Sequence, residues 1–399
     1  MTPKTNSPPR PERMVLIVGG TIGLAIVGDS FLYGTLPLEA KNLGIALPLV
    51  GILLSINRLV RLLSNTWASS VFEKLGPRRP FVFATILALF TTAAYGADWG
   101  FIVFLLARMG WGIAWSALRQ GGYQAVWTGG DKAKGRLMGM LWGIIRLGSA
   151  SSVLFGGYLR DRFGYRTGVA GITALTALAI PVAFSIRWPA APQQAPRPQV
   201  SFRQGWREAL KTPPGRRLLL AGFVHSAFEG ILISTTSLFL VSRLGGSALF
   251  PGLGARIGTL AGFLLALRWT SDMLFGPAIG ALSDRIGPAR TLWILATVLL
   301  GSMLGVVGFN GMPLILCLCV LFICSAGLMI TLAALASGVA LRAERPHIYV
   351  GVYATAHDAG SAFGPLLAYF ATGLIGLSGQ YLLAAVALIL AILWYRKAA

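Results

Sequence analysis

Residues 73–79 read Glu73-Lys74-Leu75-Gly76-Pro77-Arg78-Arg79, and 211 residues later the chain reads Asp284-Arg285-Ile286-Gly287-Pro288-Ala289-Arg290. Each stretch is short, charged and turn-forming, and each separates two long apolar runs. A second match, Arg146-Leu147-Gly148-Ser149-Ala150 with Asp358-Ala359-Gly360-Ser361-Ala362, falls at an offset of 212. Two matches at nearly one offset, at corresponding places in the order of runs, mark an internal repeat. The chain reads as two copies of one unit.

Between these stretches the apolar residues fall in runs of about 20, each able to cross a hydrocarbon layer of about 30 Å. Twelve runs can be drawn, at approximately 14–38, 46–70, 80–97, 100–127, 137–159, 167–187, 217–242, 257–282, 290–309, 313–341, 348–374 and 378–395. The predicted fold is an all-α membrane protein with twelve transmembrane helices in two pseudo-symmetric six-helix bundles. Its predicted parts are an N-terminal tail over 1–13, a first bundle over 14–187, a linker over 188–216, a second bundle over 217–395 and a C-terminal tail over 396–399. Pro189, Pro192, Pro196, Pro198, Pro213 and Pro214 mark the linker.

Composition agrees. Of 399 residues 55% are apolar and 12% charged, against about 25% charged in an average soluble domain. The net charge of +21 forms no single basic patch with interleaved aromatics, which argues against nucleic acid as a partner. Basic residues instead concentrate in alternate loops: Lys4, Arg10 and Arg13, then Lys74, Arg78 and Arg79, then Lys132, Lys134 and Arg136, then Arg187 to Arg217. The positive-inside rule places those loops and both termini in the cytoplasm, and the expected location is a bacterial inner membrane. Arg160, Arg162 and Arg166 beside a lone Asp161 are the exception, on the predicted outer side. The first run is too long for a signal peptide, contains Asp29, and is expected to stay as a span. Cys317, Cys319 and Cys324 share one apolar run with no histidine nearby, so neither a disulfide framework nor a metal site is expected.

At its loops the sequence resembles the major facilitator superfamily of secondary transporters, and the resemblance covers essentially the whole chain. The family's loop signature, Gly-x3-Asp-Arg-x-Gly-x-Arg-Arg, is nearly intact as Gly280, Asp284, Arg285, Gly287 and Arg290, and is degenerate as Ser69, Glu73, Lys74, Gly76, Arg78 and Arg79. These residues are expected to serve gating: a small residue permits close helix approach and the acid caps a helix N-terminus. Arg108-x-x-Trp111-Gly112 is similar to a motif associated with proton transfer in proton-coupled members. Gly148, Ser152, Val153, Gly156 and Gly157 match the frame of the antiporter motif without its central Gly-Pro, which Gly364-Pro365 supplies in the eleventh run instead. The resemblance implies alternating access between the halves and an efflux-like role in moving drugs or metabolites.

Ten ionisable residues other than histidine fall inside the runs: Asp29, Arg58, Arg61, Arg108, Arg119, Arg146, Glu229, Arg268, Asp272 and Asp358. Facing lipid, at about 2.5–3.5 kcal/mol each, they would together cost on the order of 25–35 kcal/mol, so they are expected to face one another or a polar cavity. The first half supplies five arginines and one acid, the second one arginine and three acids. Such a polarised cavity suits an anionic or zwitterionic organic molecule, with Arg58, Arg61, Arg108, Arg119, Arg146 and Arg268 as candidate substrate ligands. Trp111 and Trp115 are candidates for an apolar subsite. Asp29, Glu229, Asp272 and Asp358 are candidate proton carriers, joined by His225, four residues from Glu229, and His357, next to Asp358. Arg58 or Arg119 is the expected partner of Asp29. The repeat, combined with the family's helix order, pairs Arg61 with Asp358 and Arg146 with Asp272.

No nucleotide-binding loop of the Gly-x4-Gly-Lys-Ser/Thr kind and no hydrolase motif occurs, so an ATP-driven pump or an enzyme is not expected. The expected function is proton-coupled export of a small amphipathic organic compound, with no cofactor beyond the proton gradient, by a monomer in contact with membrane lipid. Proton-coupled uptake of an anionic metabolite suits the arginines equally, and a lipid flippase or facilitator is a further alternative.

Overall fold

The computed structural model describes residues 11–97, 99–189, 202–245, 256–342 and 346–396. Parts of the expected tails and linker, at 1–10, 190–201 and 397–399, lie outside the described residues. The described chain is helical, in the order α1 (Pro11–Ala25), α2 (Val27–Glu39), α3 (Leu47–Leu75), α4 (Arg78–Ala94), α5 (Gly100–Trp127), α6 (Gly130–Phe163), α7 (Tyr165–Ala177), α8 (Ala179–Ser185), α9 (Phe202–Leu210), α10 (Pro213–Leu244), α11 (Ile257–Leu274), α12 (Gly276–Ile286), α13 (Pro288–Gly308), α14 (Gly311–Leu341) and α15 (Pro346–Arg396).

Several of these are one rod broken in the middle, and the breaks have local causes. Proline lacks an N–H and crowds the carbonyl four residues back. Pro181 therefore interrupts α7–α8 near Leu178, and Pro277 interrupts α11–α12 at Phe275. At Gly376 (φ 64°) α15 divides into two helices. Among the described residues nine rods are long and apolar enough to cross a membrane, with α1–α2, α7–α8 and α15 each counted once. The 17-residue α4 and the charged α11–α12 pair are not among them. Those two, with α15 divided, occupy the remaining positions in the twelve-run order of the sequence.

The repeat is visible in the backbone. Gly76 (φ 70°) ends α3 and Gly287 (φ 88°) ends α12, each in the left-handed region that favours glycine, immediately before the next helix starts. Left-handed glycines also recur at Gly100 and Gly311, and at Gly164 and Gly376. Their offsets of 211, 211 and 212 residues match those of the sequence repeat.

The halves meet tightly at one end. A Cβ on Gly157 of α6 would lie 2.3 Å from the Gly258 carbonyl, one on Gly262 of α11 would lie 2.1 Å from the Val153 carbonyl, and one on Gly51 of α3 would lie 2.7 Å from the Pro365 carbonyl. Toward the other end the same helices diverge: a Cβ on Gly143 would come no nearer than 3.8 Å to Met273, and one on Gly139 would meet nothing within 4 Å. Core packing follows this division. One apolar cluster joins both halves through Phe31, Tyr33, Leu36 and Val153 with Ile257, Leu264 and Trp269. A second, around Val18, Phe81, Trp111 and Leu141, belongs to the first half alone. The structure is sealed at the end expected to lie outside and parted at the end expected to face the cytoplasm.

Polar contacts complete the seal. Asp161, its side chain fully buried, reaches from the end of α6 to the start of α11. Its Oδ2 accepts from the Thr259 amide at 2.7 Å, the Thr259 hydroxyl at 2.9 Å and the Arg256 amide at 3.2 Å. It caps a helix of the opposite half, where orphan amides and the helix dipole favour an anion. Arg160 steadies Asp161 at 3.0 Å and binds Glu39 of α2 at 2.5 Å.

Close approach of α6 and α11 predicts that Gly262→Leu lowers the thermal midpoint in detergent, overpacking costing about 1–3 kcal/mol or more. Gly139→Leu, with open space around it, leaves the midpoint unchanged.

Candidate substrate and coupling site

Asp29 of α2 is held by Arg108 of α5 and not by Arg58 or Arg119, which corrects the sequence expectation. Arg108 forms an ion pair with Asp29 Oδ1, donates Nε to the Leu53 carbonyl at 2.8 Å and is 0% exposed. Asn57 donates to the same carboxylate at 3.0 Å. The cause lies one turn away: a Cβ on Gly112 would stand 2.5 Å from the Asn57 carbonyl. The glycine lets α5 press on α3 and brings Arg108 within reach of α2. The Arg108-x-x-Trp111-Gly112 motif thus forms a closed polar node inside the first half.

In the second half Arg268 is also 0% exposed. It binds Glu229 of α10 at 2.5 Å and Asp272, one turn along α11, at 3.0 Å. Asp272 continues across the gap to Arg146 of α6 at 3.3 Å, so the pair expected from the repeat is present. The companion pair is not. Asp358 of α15 meets Arg119 of α5 at 3.7 Å, while Arg61 is held in the electrostatic field of Asp358 without an ion pair among the described residues. Helix neighbours alone point to α3 as the partner of α15, but α5 also faces this gap, three turns beyond its buried node, and its arginine reaches the acid. Both cross-gap pairs are partly open, with side-chain exposures of 22% and 25% for Arg119 and Asp358 and 31% and 18% for Arg146 and Asp272.

A proline explains the place of Arg58. Pro365 inside α15 has no N–H to give the Ser361 carbonyl, and Arg58 of the opposite half donates Nη1 to that carbonyl. Its guanidinium also stands 5.3 Å from the Tyr33 ring centroid. Six arginines therefore meet four carboxylates, and the two without a carboxylate partner among the described residues are Arg58 and Arg61. The Nε of Arg61 is buried without a hydrogen-bond partner among the described residues.

His225, Glu229 and His357 converge, one ligand-type atom from each lying within 4.8 Å of the others. His225 Nε2 faces the Ser325 carbonyl at 3.0 Å, so that nitrogen carries the hydrogen. Ser226 spends its hydroxyl hydrogen on the His357 carbonyl at 2.7 Å, so His357 Nδ1, at 3.3 Å from the Ser226 oxygen, is the donor of that contact. The remaining nitrogens, His225 Nδ1 and His357 Nε2, are buried acceptors without a hydrogen-bond partner among the described residues. Sequence spacing joins His225 to Glu229 but does not reveal that α15 carries His357 to them.

Trp111 and Trp115 are 2% and 6% exposed, tilted on each other at 6.0 Å within the core of the first half; packing between α5 and its neighbours takes up both rings. The glycine frame of α6 serves approach to three elements: a Cβ would clash with Gly23 from Gly148, with Phe31 from Gly156 and with Gly258 from Gly157. In the loop signatures Gly76 and Gly287 are turn residues, Ser69 bonds back to the Asn65 carbonyl at 3.4 Å, and a Cβ on Gly280 would meet nothing within 4 Å. Glu73, Arg78, Asp284, Arg285 and Arg290 are exposed and form no ion pair with another described residue. The seal residues Glu39, Arg160 and Asp161 carry no motif that marks them for function; their one sign in the sequence is the lone acid among the outer arginines.

The sequence profile described as Major Facilitator Superfamily matches residues 18–266 and again 218–399. A search of curated proteins gives no match. Among solved structures, a bacterial homolog of the human lysosomal transporter Spinster, in an inward-facing and unoccupied conformation, aligns with TM-score 0.76 at 15% identity, covering 98% of each chain. The nucleoside transporter NupG aligns with TM-score 0.78 at 13% identity over 97% of this chain and 99% of its own. The E. coli fucose:proton symporter FucP aligns with TM-score 0.59 at 14% identity over 96% and 98%.

Because Arg108 and Asp29 are buried together, Arg108→Met is expected to destabilise the protein by about 3–5 kcal/mol by leaving a buried carboxylate alone. Adding Asp29→Leu should recover much of that loss. Thermal unfolding of the two single variants and the double variant in detergent measures the coupling.

Proposed function

The chain belongs to the major facilitator superfamily, and from that premise we propose that it is a proton-coupled secondary transporter of a small amphipathic organic anion or zwitterion. The observation that carries the substrate class is the pair of arginines, Arg58 and Arg61, that form no ion pair with a carboxylate among the described residues and stand beside the partly open Arg119–Asp358 pair, with the second partly open pair, Arg146–Asp272, also bridging the gap. An incoming carboxylate or phosphate finds guanidinium groups whose forks suit it. Binding there competes with Asp358 for Arg119 and with Asp272 for Arg146. Protonating either acid loosens the same cross-gap pair, which gives substrate and proton a shared lever on the halves.

Export is the favoured direction, on the likeness of the α6 glycine frame to the antiporter motif. Uptake of an anionic metabolite is the second reading, favoured by the same two arginines. The proposed setting is a bacterial inner membrane with both termini cytoplasmic, and the proposed working form is a monomer. The residues at 193 and 252, suited to labelling from either side, lie outside the described residues.

In proteoliposomes with an imposed pH gradient, uptake driven by an acidic trans compartment supports exchange of proton for substrate, and uptake driven by an acidic cis compartment supports symport. Arg61→Gln is expected to raise KM for the anion about tenfold, the value of one charge-assisted hydrogen bond; an unchanged KM overturns the assigned substrate site. For at least one of Asp29→Asn, Glu229→Gln, Asp272→Asn and Asp358→Asn, gradient-driven accumulation should vanish while exchange without a gradient survives. Accumulation by all four variants overturns coupling through these acids.

A further inference from the structure

On the wall of the first half, α3, α4 and α5 surround a cavity of about 350 Å³. Trp67, Phe72, Leu75, Phe83 and Leu87 are among its lining residues, and every lining side chain is apolar except that of Arg79. Trp67, Leu75 and Phe83 are exposed by 56%, 53% and 62%. In a chain that spans a membrane, this surface faces lipid and not water.

The charged end of the groove has one position. Arg79 sits in the first turn of α4, beside the Gly76 turn, and forms no ion pair with another described residue. Lys74 and Arg78 are exposed on the same turn, against the single acid Glu73. From Arg79 the apolar lining runs to Leu87, eight residues or about 12 Å along the helix axis. A basic rim over a deep apolar slot is complementary to a phosphate joined to an acyl chain. The excess of basic over acidic residues selects lipids with net negative charge, and an arginine fork holds a phosphate better than a point charge does.

We propose that this groove binds an anionic phospholipid of the surrounding bilayer, with one acyl chain between α3, α4 and α5 and its phosphate on Arg79. It is separate from the gap between the halves, yet α3 and α5 border both: Arg58, Arg61 and Arg119 lie toward the gap and Trp67 and Ala117 line the groove. A lipid seated there would brace the two helices that carry those arginines.

Native mass spectrometry of the full chain released from detergent, after equilibration with dioleoyl phosphatidylglycerol or dioleoyl phosphatidylcholine, reads binding without reference to transport. The expected result is one retained phosphatidylglycerol per chain, held about tenfold more than phosphatidylcholine. Arg79→Gln, which removes the ligand of the phosphate, should reduce retention of both lipids and of phosphatidylglycerol the more, and Ala117→Phe, which fills the slot, should reduce both. Arg162→Gln, a change at an exposed base far from the groove, should retain phosphatidylglycerol as the parent does. Equal retention of the two lipids by the parent, unchanged retention in Arg79→Gln, or equal loss in Arg162→Gln overturns the site. A dimer that Ala117→Phe dissociates also overturns it, assigning the groove to a second copy. Should Ala117→Phe fail to fold, the Arg79→Gln and Arg162→Gln comparison decides.

Discussion

A guanidinium or carboxylate facing hydrocarbon at the centre of a bilayer costs about 2.5–3.5 kcal/mol, and this one constraint arranges the interior. It forces Asp29 onto Arg108, and Glu229 and Asp272 onto Arg268, inside their own halves. What remains, Arg119 with Asp358 and Arg146 with Asp272, is satisfied only across the gap. Charges closed within a half hold its helices together as a body. Those that cross the gap hold one body against the other, and they are the ones partly open to solvent.

Backbone polarity imposes the same discipline. A carbonyl freed by proline inside a membrane must find another donor, and at Ser361 the donor is a side chain from the opposite half. The amides at the start of α11 are orphaned in the same sense, and Asp161 of α6 serves them. At both places the missing partner inside one half is supplied by the other. Small residues make this possible, since Gly51, Gly157 and Gly262 bring backbones close enough for side chains to bridge. The sealed end is therefore built from steric fit first and polar contacts second.

How much of this was legible in the sequence depended on whether a feature was local. The runs of about 20 apolar residues, the paired turns at Gly76 and Gly287 and the interior location of the ten charges follow from composition and period alone. The Arg146–Asp272 pair was legible because the repeat matches the positions of the charges and the family resemblance implies which helices are neighbours. Asp358 went to Arg119 and not Arg61 because two helices, α3 and α5, present arginines to one acid, and helix order does not state which side chain arrives first. Asp29 was misassigned for a related reason: the close approach at Gly112 sets which arginine reaches it, and a contact distance is absent from a sequence. His357 joins His225 and Glu229 through the packing of α15 on α10, a relation between residues more than 120 apart.

Opening the sealed end requires α6 and α11 to separate, which leaves Asp161 and the amides of Arg256 and Thr259 without one another. At the membrane surface water can replace those bonds, so the net loss is modest. At mid-membrane there is less water, and the Arg146–Asp272 and Arg119–Asp358 pairs need a substitute partner when the halves turn. A proton on the acid and an anionic group on the arginine together provide that substitute with no net charge left over. Either alone leaves an arginine or a carboxylate unmatched, with a penalty of several kcal/mol. On the proposed reading, the same electrostatics that hold the structure closed favour movement when both ligands are bound together, which is the condition that proton-coupled uptake, the second reading, requires.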